Sequence, residues 1–308
     1  MGKFICKIVL FFLIVALADQ LWGVAMDSVI SKIDIGGVGR NTFICEKCTD
    51  DILVFGSSRA EFHYNAQMIS DSLGQSCYNC GEEGCGIILA YGRLLLLKER
   101  YNPKTIIYEV TPAYDFHEGH DNDKYLSRLK YYYGKPGIDS IFWSVDPKER
   151  YKMTSRIYRN NSSFLQNLIV FLSHRSADSG IKGFRPVQKK MNPMKKRKNF
   201  IPYDSRKGYE YDSLKFQYWD KFMEQTKDAE VFFVASPMWY GQDTLAIQPI
   251  KDICKARNLC LLDYTNDPKY VHHDEYFMDG FHLNATGADE FTRDLIKDIR
   301  KWRLAHRP

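Results

Sequence analysis

The sequence predicts a three-layer α/β/α domain with a mainly parallel sheet, enlarged by a long insertion. Two observations carry this. From Asp51 onward, short unbroken apolar runs alternate with stretches of helical periodicity. Strands apolar on both faces must be covered by helices on both sides, which is the habit of parallel sheets. A third observation sets the scale. The chain has 308 residues, 44% hydrophobic and 26% charged, with a mean hydropathy of −0.39. That is enough to bury a large core. It excludes a disordered tail, a collagen-like repeat and a polytopic membrane protein.

The elements follow in order. Ile52-Leu53-Val54-Phe55 is a first buried strand, ending at Gly56. Residues 59–73 read as one helix, with Phe62, Ala66, Ile69 and Leu73 near helical spacing. Ser76 to Tyr78 is a second strand, and residues 86–100 are a helix carrying Ile87, Leu89, Leu94, Leu96 and Leu97. Thr105 to Val110 is the third strand, stopped by Pro112. The region at about 114–227 breaks the rhythm and reads as an insertion, part helical, placed as a lid. Residues 231–235 are the fourth strand, 246–257 a helix and 260–263 the fifth strand. A last helix spans about Gly287 to Trp302, with Thr286 as its cap and Asp289 completing a capping box.

The N-terminus is a targeting segment. Lys3 and Lys7 precede an apolar run from Ile8 to Ala18, and Ala16-Leu17-Ala18 resembles a cleavage site. The wider stretch from Phe4 to Met26, with Asp19 near its outer end, reads as a signal anchor of about the ~20 residues a membrane needs. Either way the body lies outside the cytoplasm, anchored, or secreted or periplasmic if cleaved. The organisation is then a signal peptide or anchor (1–26), a connecting segment (27–50), the α/β domain (51–303) and a short tail (304–308).

The formal charge of +5 is unevenly spread. Residues 182–207 carry ten Lys/Arg against Asp204, a local +9, leaving −4 on the rest. A nucleic-acid partner for the whole protein is therefore not expected. This run reads as a solvated loop, with contact to lipid headgroups or an acidic polysaccharide as the second reading. Of eight cysteines, Cys6 lies in the targeting segment, and the remaining seven cannot all pair. Some disulfides fit an oxidising compartment, while buried thiols are the plainer reading. Cys45-x-x-Cys48 and Cys77-x-x-Cys80 are too far apart for the usual zinc ribbon, and His117-Glu118-Gly119-His120 lacks metalloprotease spacing. No metal and no cofactor is expected.

Two short segments carry the chemistry. Gly56-Ser57-Ser58-Arg59 stands between the first strand and a helix, where a serine hydroxyl is exposed above the sheet beside helix-start amides. Asp279-Gly280-Phe281-His282 precedes the last helix, where Asp279 suits the orientation of a His282 base. Together they resemble the SGNH (GDSL-type) hydrolase superfamily over most of residues 50–303. Gly56-Ser57-Ser58 matches block I with Ser58 as nucleophile and Ser57 in place of the usual Asp. Asn79-Cys80-Gly81-Glu82-Glu83-Gly84 matches the Asn-x-Gly-x-x-Gly of block II, and Asp279 with His282 matches block V. The resemblance implies a flavodoxin-like three-layer fold and a catalytic triad of Ser58, Asp279 and His282. It also implies an oxyanion hole from the backbone amides of Ser58 and Gly84. Block III, which should bring an oxyanion asparagine, is missing: the place reads Glu109-Val110-Thr111-Pro112-Ala113-Tyr114-Asp115. Arg59 and Asn79 are candidates for substrate contact, as is His63.

The Gly-Ser-Ser variant and the N-terminal segment also resemble envelope-associated branches. These include relatives of the D-alanyl-lipoteichoic-acid transfer proteins and of polysaccharide O-acetylation proteins. The implied function is serine-dependent ester hydrolysis or acyl transfer, as an esterase or O-acyltransferase, on an acylated envelope or extracellular carbohydrate or another small ester. The alternative is a catalytically weak carbohydrate-binding or assembly protein on the same scaffold.

Overall fold

The computed structural model describes residues 1–118, 126–161, 163–174, 180–191 and 210–306. Its strands are β1 (Ile52–Phe55), β2 (Cys77–Asn79), β3 (Thr105–Glu109), β4 (Glu230–Ala235) and β5 (Cys260–Asp263). The helices used below are, in chain order, α1 (Gly2–Ile30), α2 (Ser58–His63), α3 (Ala66–Leu73), α4 (Ile87–Lys98), α5 (Arg156–Asn160), α6 (Phe164–Ser173), α7 (Ser213–Gln225), α8 (Gln248–Arg257) and α9 (Ala285–Ala305). The chain divides into two compact units. One holds residues 1–47 and 122–179, the other residues 48–121 and 180–308.

The larger unit is a three-layer α/β/α fold. Its five strands are all parallel, in the order β2-β1-β3-β4-β5. Alternate side chains decide which helix covers which face. Ile52, Val54, Ile107, Phe232 and Val234 face one way and join Ala60 of α2, Ile69 of α3, and Phe291, Leu295 and Ile299 of α9 in one buried cluster. Phe55 and Tyr108 face the other way and meet α7, with Phe55 against Phe222 at 6.0 Å and Tyr108 against Trp219 at 4.8 Å between ring centroids. Tyr91 of α4 packs on Tyr218 of α7, completing that layer. Thus α7, within the segment read as an insertion, is the crossover helix that a β3-to-β4 parallel connection requires.

Two helix boundaries differ from the sequence expectation. The helix expected over 59–73 is two helices, parted at Tyr64 and Asn65. Asn65 caps α3 by accepting from Met68 N–H, and Asn79 Nδ2 donates to the carbonyls of Ala60 and Tyr64 as α2 ends. Nor is Thr286 the cap of the last helix. Asn284 Oδ1 accepts from Gly287 N–H, and the helix begins at Ala285. Asp289 instead accepts from Asn65 Nδ2 at 2.8 Å.

The smaller unit joins the N-terminus to part of the central segment. Among the described residues, α1 is the one helix long and apolar enough to cross a membrane. Side chains from Phe4 to Val24 are largely exposed, and burial begins at Gly23, Met26 and Ile30. Asp19 accepts from Ser155 Oγ (2.6 Å) and from the backbone N–H groups of Arg156 and Ile157, so the one acidic residue within the apolar part of α1 caps α5. Arg156 pairs with Asp27 at 2.8 Å.

Among the described residues, no disulfide framework supports either unit. Cys48, Cys77, Cys254 and Cys260 are free, buried thiols, and burial pushes Cys48 and Cys260 each up to about 11. They are small core residues at neutral pH. Among the described residues, no group of three or more His, Cys, Asp or Glu is gathered to hold a metal ion.

Phe222 is fully buried against Phe55, Tyr108 and Trp219. Phe222→Ala should therefore destabilise the protein by about 3–5 kcal/mol. Urea unfolding followed by circular dichroism measures it. A loss under about 1 kcal/mol would mean that α7 does not cover the sheet.

Candidate active site

The strand order reverses between β1 and β3, and in open parallel sheets the crevice outside the carboxyl ends at such a point is where ligands bind. Ser58 stands there. Gly56 makes the exit from β1 possible: its φ is +136°, and a Cβ would lie 2.6 Å from the Glu109 carbonyl oxygen. Ser57 then caps α2, and Ser58 is the helix's first residue.

Asp279 and His282 arrive from the loop before α9. This loop is closed by the Met278 N–H donating to the His282 carbonyl, and held by the Trp239 N–H donating to the Gly280 carbonyl. Ser58 Oγ lies 2.8 Å from His282 Nε2, and His282 Nδ1 lies 3.0 Å from both Asp279 oxygens. An ionised carboxylate only accepts, so Nδ1 carries the proton and Nε2 is free to accept from the Ser58 hydroxyl. Burial works against the Asp279 charge. Hydrogen bonds from His282, Phe281 N–H and His282 N–H outweigh it and hold the carboxyl below its ordinary value. The edge of Phe62 packs on the His282 ring at 5.5 Å.

Gly84 lies in the loop between β2 and α4 with φ +72°, a conformation that favours glycine. Among the described residues, neither the Ser58 nor the Gly84 backbone N–H donates a hydrogen bond.

Arg59, Asn79 and His63 read as candidates for substrate contact. All three are buried and committed to the fold. Arg59 pairs with Glu109 at 2.9 Å and donates to the Val110 carbonyl. Asn79 Oδ1 accepts from Gly81 N–H while its amide holds the end of α2. His63 Nε2 accepts from Leu283 N–H at 3.0 Å, so its Nδ1–H donates to Ser236 Oγ at 2.8 Å. It thereby holds Leu283, the residue next to His282. Burial, with the nearby His282 and Arg59 charges, holds it well below the usual imidazole range.

Glu109 was not singled out in the sequence. It is fully buried, and it accepts from Arg59, the Tyr64 hydroxyl and Ser236 N–H. Burial pushes its carboxyl up, and Arg59 with these hydrogen bonds opposes the shift. Where the block III asparagine was missing, Thr111 Oγ1 bonds Ser57 Oγ at 2.6 Å and Thr111 N–H donates to Asp115.

The basic run is described only up to Met191, and residues 192–207 lie outside the described residues. Its described part crosses the site's edge. Asn79 N–H donates to the Lys182 carbonyl, Arg185 N–H to the Glu61 carbonyl, and Ala285 N–H to the Val187 carbonyl. Arg185 sits 4.7 Å over the Phe62 ring and 3.5 Å from Glu61. His117 bridges to Tyr211, and His273 pairs with Glu275.

His63 also sets a pH response. Its folded value lies below the ordinary 6.5, so the neutral form stabilises the fold above about that pH. That contribution is lost as pH falls below it, by up to about 1.4 kcal/mol per pH unit. In His63→Gln the amide oxygen can still accept from Leu283, and the slope between about pH 6.5 and 5 should flatten. Parallel slopes in chemical denaturation would assign the acid sensitivity to other groups.

No family model and no curated protein matches this chain. Solved structures do resemble it. A family two carbohydrate esterase from Clostridium thermocellum, in complex with cellohexaose, is 10% identical with a TM-score of 0.36, over 81% of this chain and 63% of its own. A GDSL-like lipase from Bacteroides thetaiotaomicron is 10% identical with a TM-score of 0.36, over 80% and 88%. An acetyl xylan esterase from the rumen bacterium Butyrivibrio proteoclasticus is 9% identical with a TM-score of 0.36, over 81% and 63%. The chain has a three-layer α/β/α fold, its parallel sheet in the order β2-β1-β3-β4-β5, with Ser58 after β1 and Asp279-x-x-His282 before α9.

Proposed function

We propose that this protein is a serine esterase or O-acyltransferase held at a membrane by α1. The observation that carries the reading is the unbroken line from Asp279 through His282 to the Ser58 hydroxyl, with bonds of 3.0 and 2.8 Å. Ser58 Oγ attacks an ester carbonyl while its proton passes to His282 Nε2. Asp279 stabilises the imidazolium that forms. The backbone N–H groups of Ser58 and Gly84 face the developing oxyanion. The tetrahedral adduct then collapses, and the alcohol leaves with the proton from His282. Water attacks the acyl-serine in an esterase, a sugar hydroxyl in a transferase, and His282 takes that proton in turn.

The substrate class follows from the envelope-type resemblance of Gly56-Ser57-Ser58 joined to an N-terminal membrane segment: an acyl group on an envelope or extracellular carbohydrate. Retention of α1 as an anchor is supported by Asp19, which lies just past the cleavage-like Ala16-Leu17-Ala18 and caps α5.

A fluorophosphonate probe should label the wild type and leave Ser58→Ala unlabelled. Hydrolysis of p-nitrophenyl acetate should fall in Ser58→Ala by on the order of 10⁴-fold or more. A folded wild type with no Ser58-dependent labelling would favour the carbohydrate-binding alternative. Release of acid with and without a glycan acceptor separates esterase from transferase.

A further inference from the structure

Helix α6 has its polarity turned inside out. Its sequence, FLQNLIVFLS, contains no charged residue. The residue it buries is Asn167, whose amide donates to Ser163 Oγ. The residues it exposes are Leu165, Ile169 and Leu172, at 65, 55 and 70%. They recur at i, i+4 and i+7 and so form one stripe. A helix surrounded by water would turn that stripe inward.

The helix's place within its unit says what covers the stripe. Trp22 of α1 packs on Phe164, the first residue of α6, at 4.8 Å between ring centroids. Exposed apolar side chains of α1 run from Phe4 up to this level at Val24. Ile157, whose N–H is bonded to Asp19, is also 47% exposed. The stripe is thus continuous with the surface that α1 presents to lipid. Ten residues span about 15 Å, half of what crossing requires. Exposed Gln166 and Ser173 flank the stripe on one side, as the headgroup edge of an in-plane helix would.

We propose that α6 is an interfacial helix, lying in the lipid surface through which α1 passes with Leu165, Ile169 and Leu172 in the acyl boundary. This rests on the reading of α1 as a retained anchor. The unit formed by α1, α5 and α6 then grips the membrane at two places, and the central segment acts as a membrane collar.

The test uses the full chain in vesicles of phosphatidylcholine with a minor share of phosphatidylglycerol. Cys6→Ser removes the exposed thiol, and this parent should take up no nitroxide label because the remaining cysteines are buried. Labels are then placed singly by Leu165→Cys, Ile169→Cys and Leu172→Cys, with Leu13→Cys as the anchor reference and Lys255→Cys as the water reference. At the three α6 positions and at Leu13, collision with oxygen should exceed collision with a nickel chelate severalfold, and at Lys255 the order should reverse. If the α6 labels behave like Lys255 while Leu13 is lipid-exposed, the inference is overturned and the anchor stands. If the α6 labels are closed to both reagents, protein covers the stripe, as in a second copy, and the inference is overturned. If Leu13 itself is open to nickel, the anchor reading fails and takes the inference with it.

Discussion

The region around Ser58 depends on a carboxylate without access to water. Glu109, at the end of β3, is held by Arg59 of α2, the Tyr64 hydroxyl just beyond α2, and the Ser236 N–H just beyond β4. A buried ion pair contributes little net stability, because desolvation offsets attraction. It is nevertheless unforgiving: leaving one partner alone costs about 3–5 kcal/mol. Arg59 therefore cannot move away from Glu109, and Ser58, its neighbour, cannot move from the end of the sheet. Six residues make too short a helix to persist on propensity. Helix α2 persists because it is fixed at both ends, by Glu109 at Arg59 and by Leu283, Ser236 and Asn79 around His63 and Tyr64.

That arrangement also couples the two halves of the site. Leu283 N–H, which His63 accepts, follows His282 directly. The residue that ends α2 thus positions the loop whose histidine meets the residue that begins it. Thr292 adds a second tie, its hydroxyl donating to the His63 carbonyl from within α9. The Ser58–His282 distance is accordingly set by short backbone-linked spans with little slack, which is what a proton transfer over 2.8 Å demands.

The sequence was most readable where the physics is local. Strands β1, β3 and β4 are largely apolar because both faces are buried, and the five expected strands fall where the five strands are. Ser58, Asp279 and His282 were legible because each lies at an element end within a short motif. The break in the first helix was hidden, because Phe62, Ala66, Ile69 and Leu73 keep helical spacing across it. Asn65 was the available sign, a capping residue three before Met68. The bonds of Arg59, His63 and Asn79 were hidden for a different reason. A polar residue near a nucleophile suggests substrate, and only its partner reveals that it is buried. Those partners, Glu109, Leu283 and Ala60, lie 50, 220 and 19 residues away.

The same point resolves the two departures from the superfamily pattern. Ser57 stands where Asp is usual, and Thr111 lies in the segment where an oxyanion Asn is usual. In the fold these hydroxyls bond each other at 2.6 Å. Each hydroxyl is thus the other's partner. Thr111 is occupied on both sides: its hydroxyl is taken by Ser57 and its N–H by Asp115. An oxyanion in the proposed reaction would then be met by peptide N–H groups, those of Ser58 and Gly84, rather than by a side-chain donor from β3. A side-chain donor in such a hole is worth about 10²–10³ in rate. Peptide donors, in contrast, are oriented by the backbone and need no ordering at the moment of reaction. The Ser58 N–H belongs to the first turn of α2, beside Arg59, which Glu109 holds.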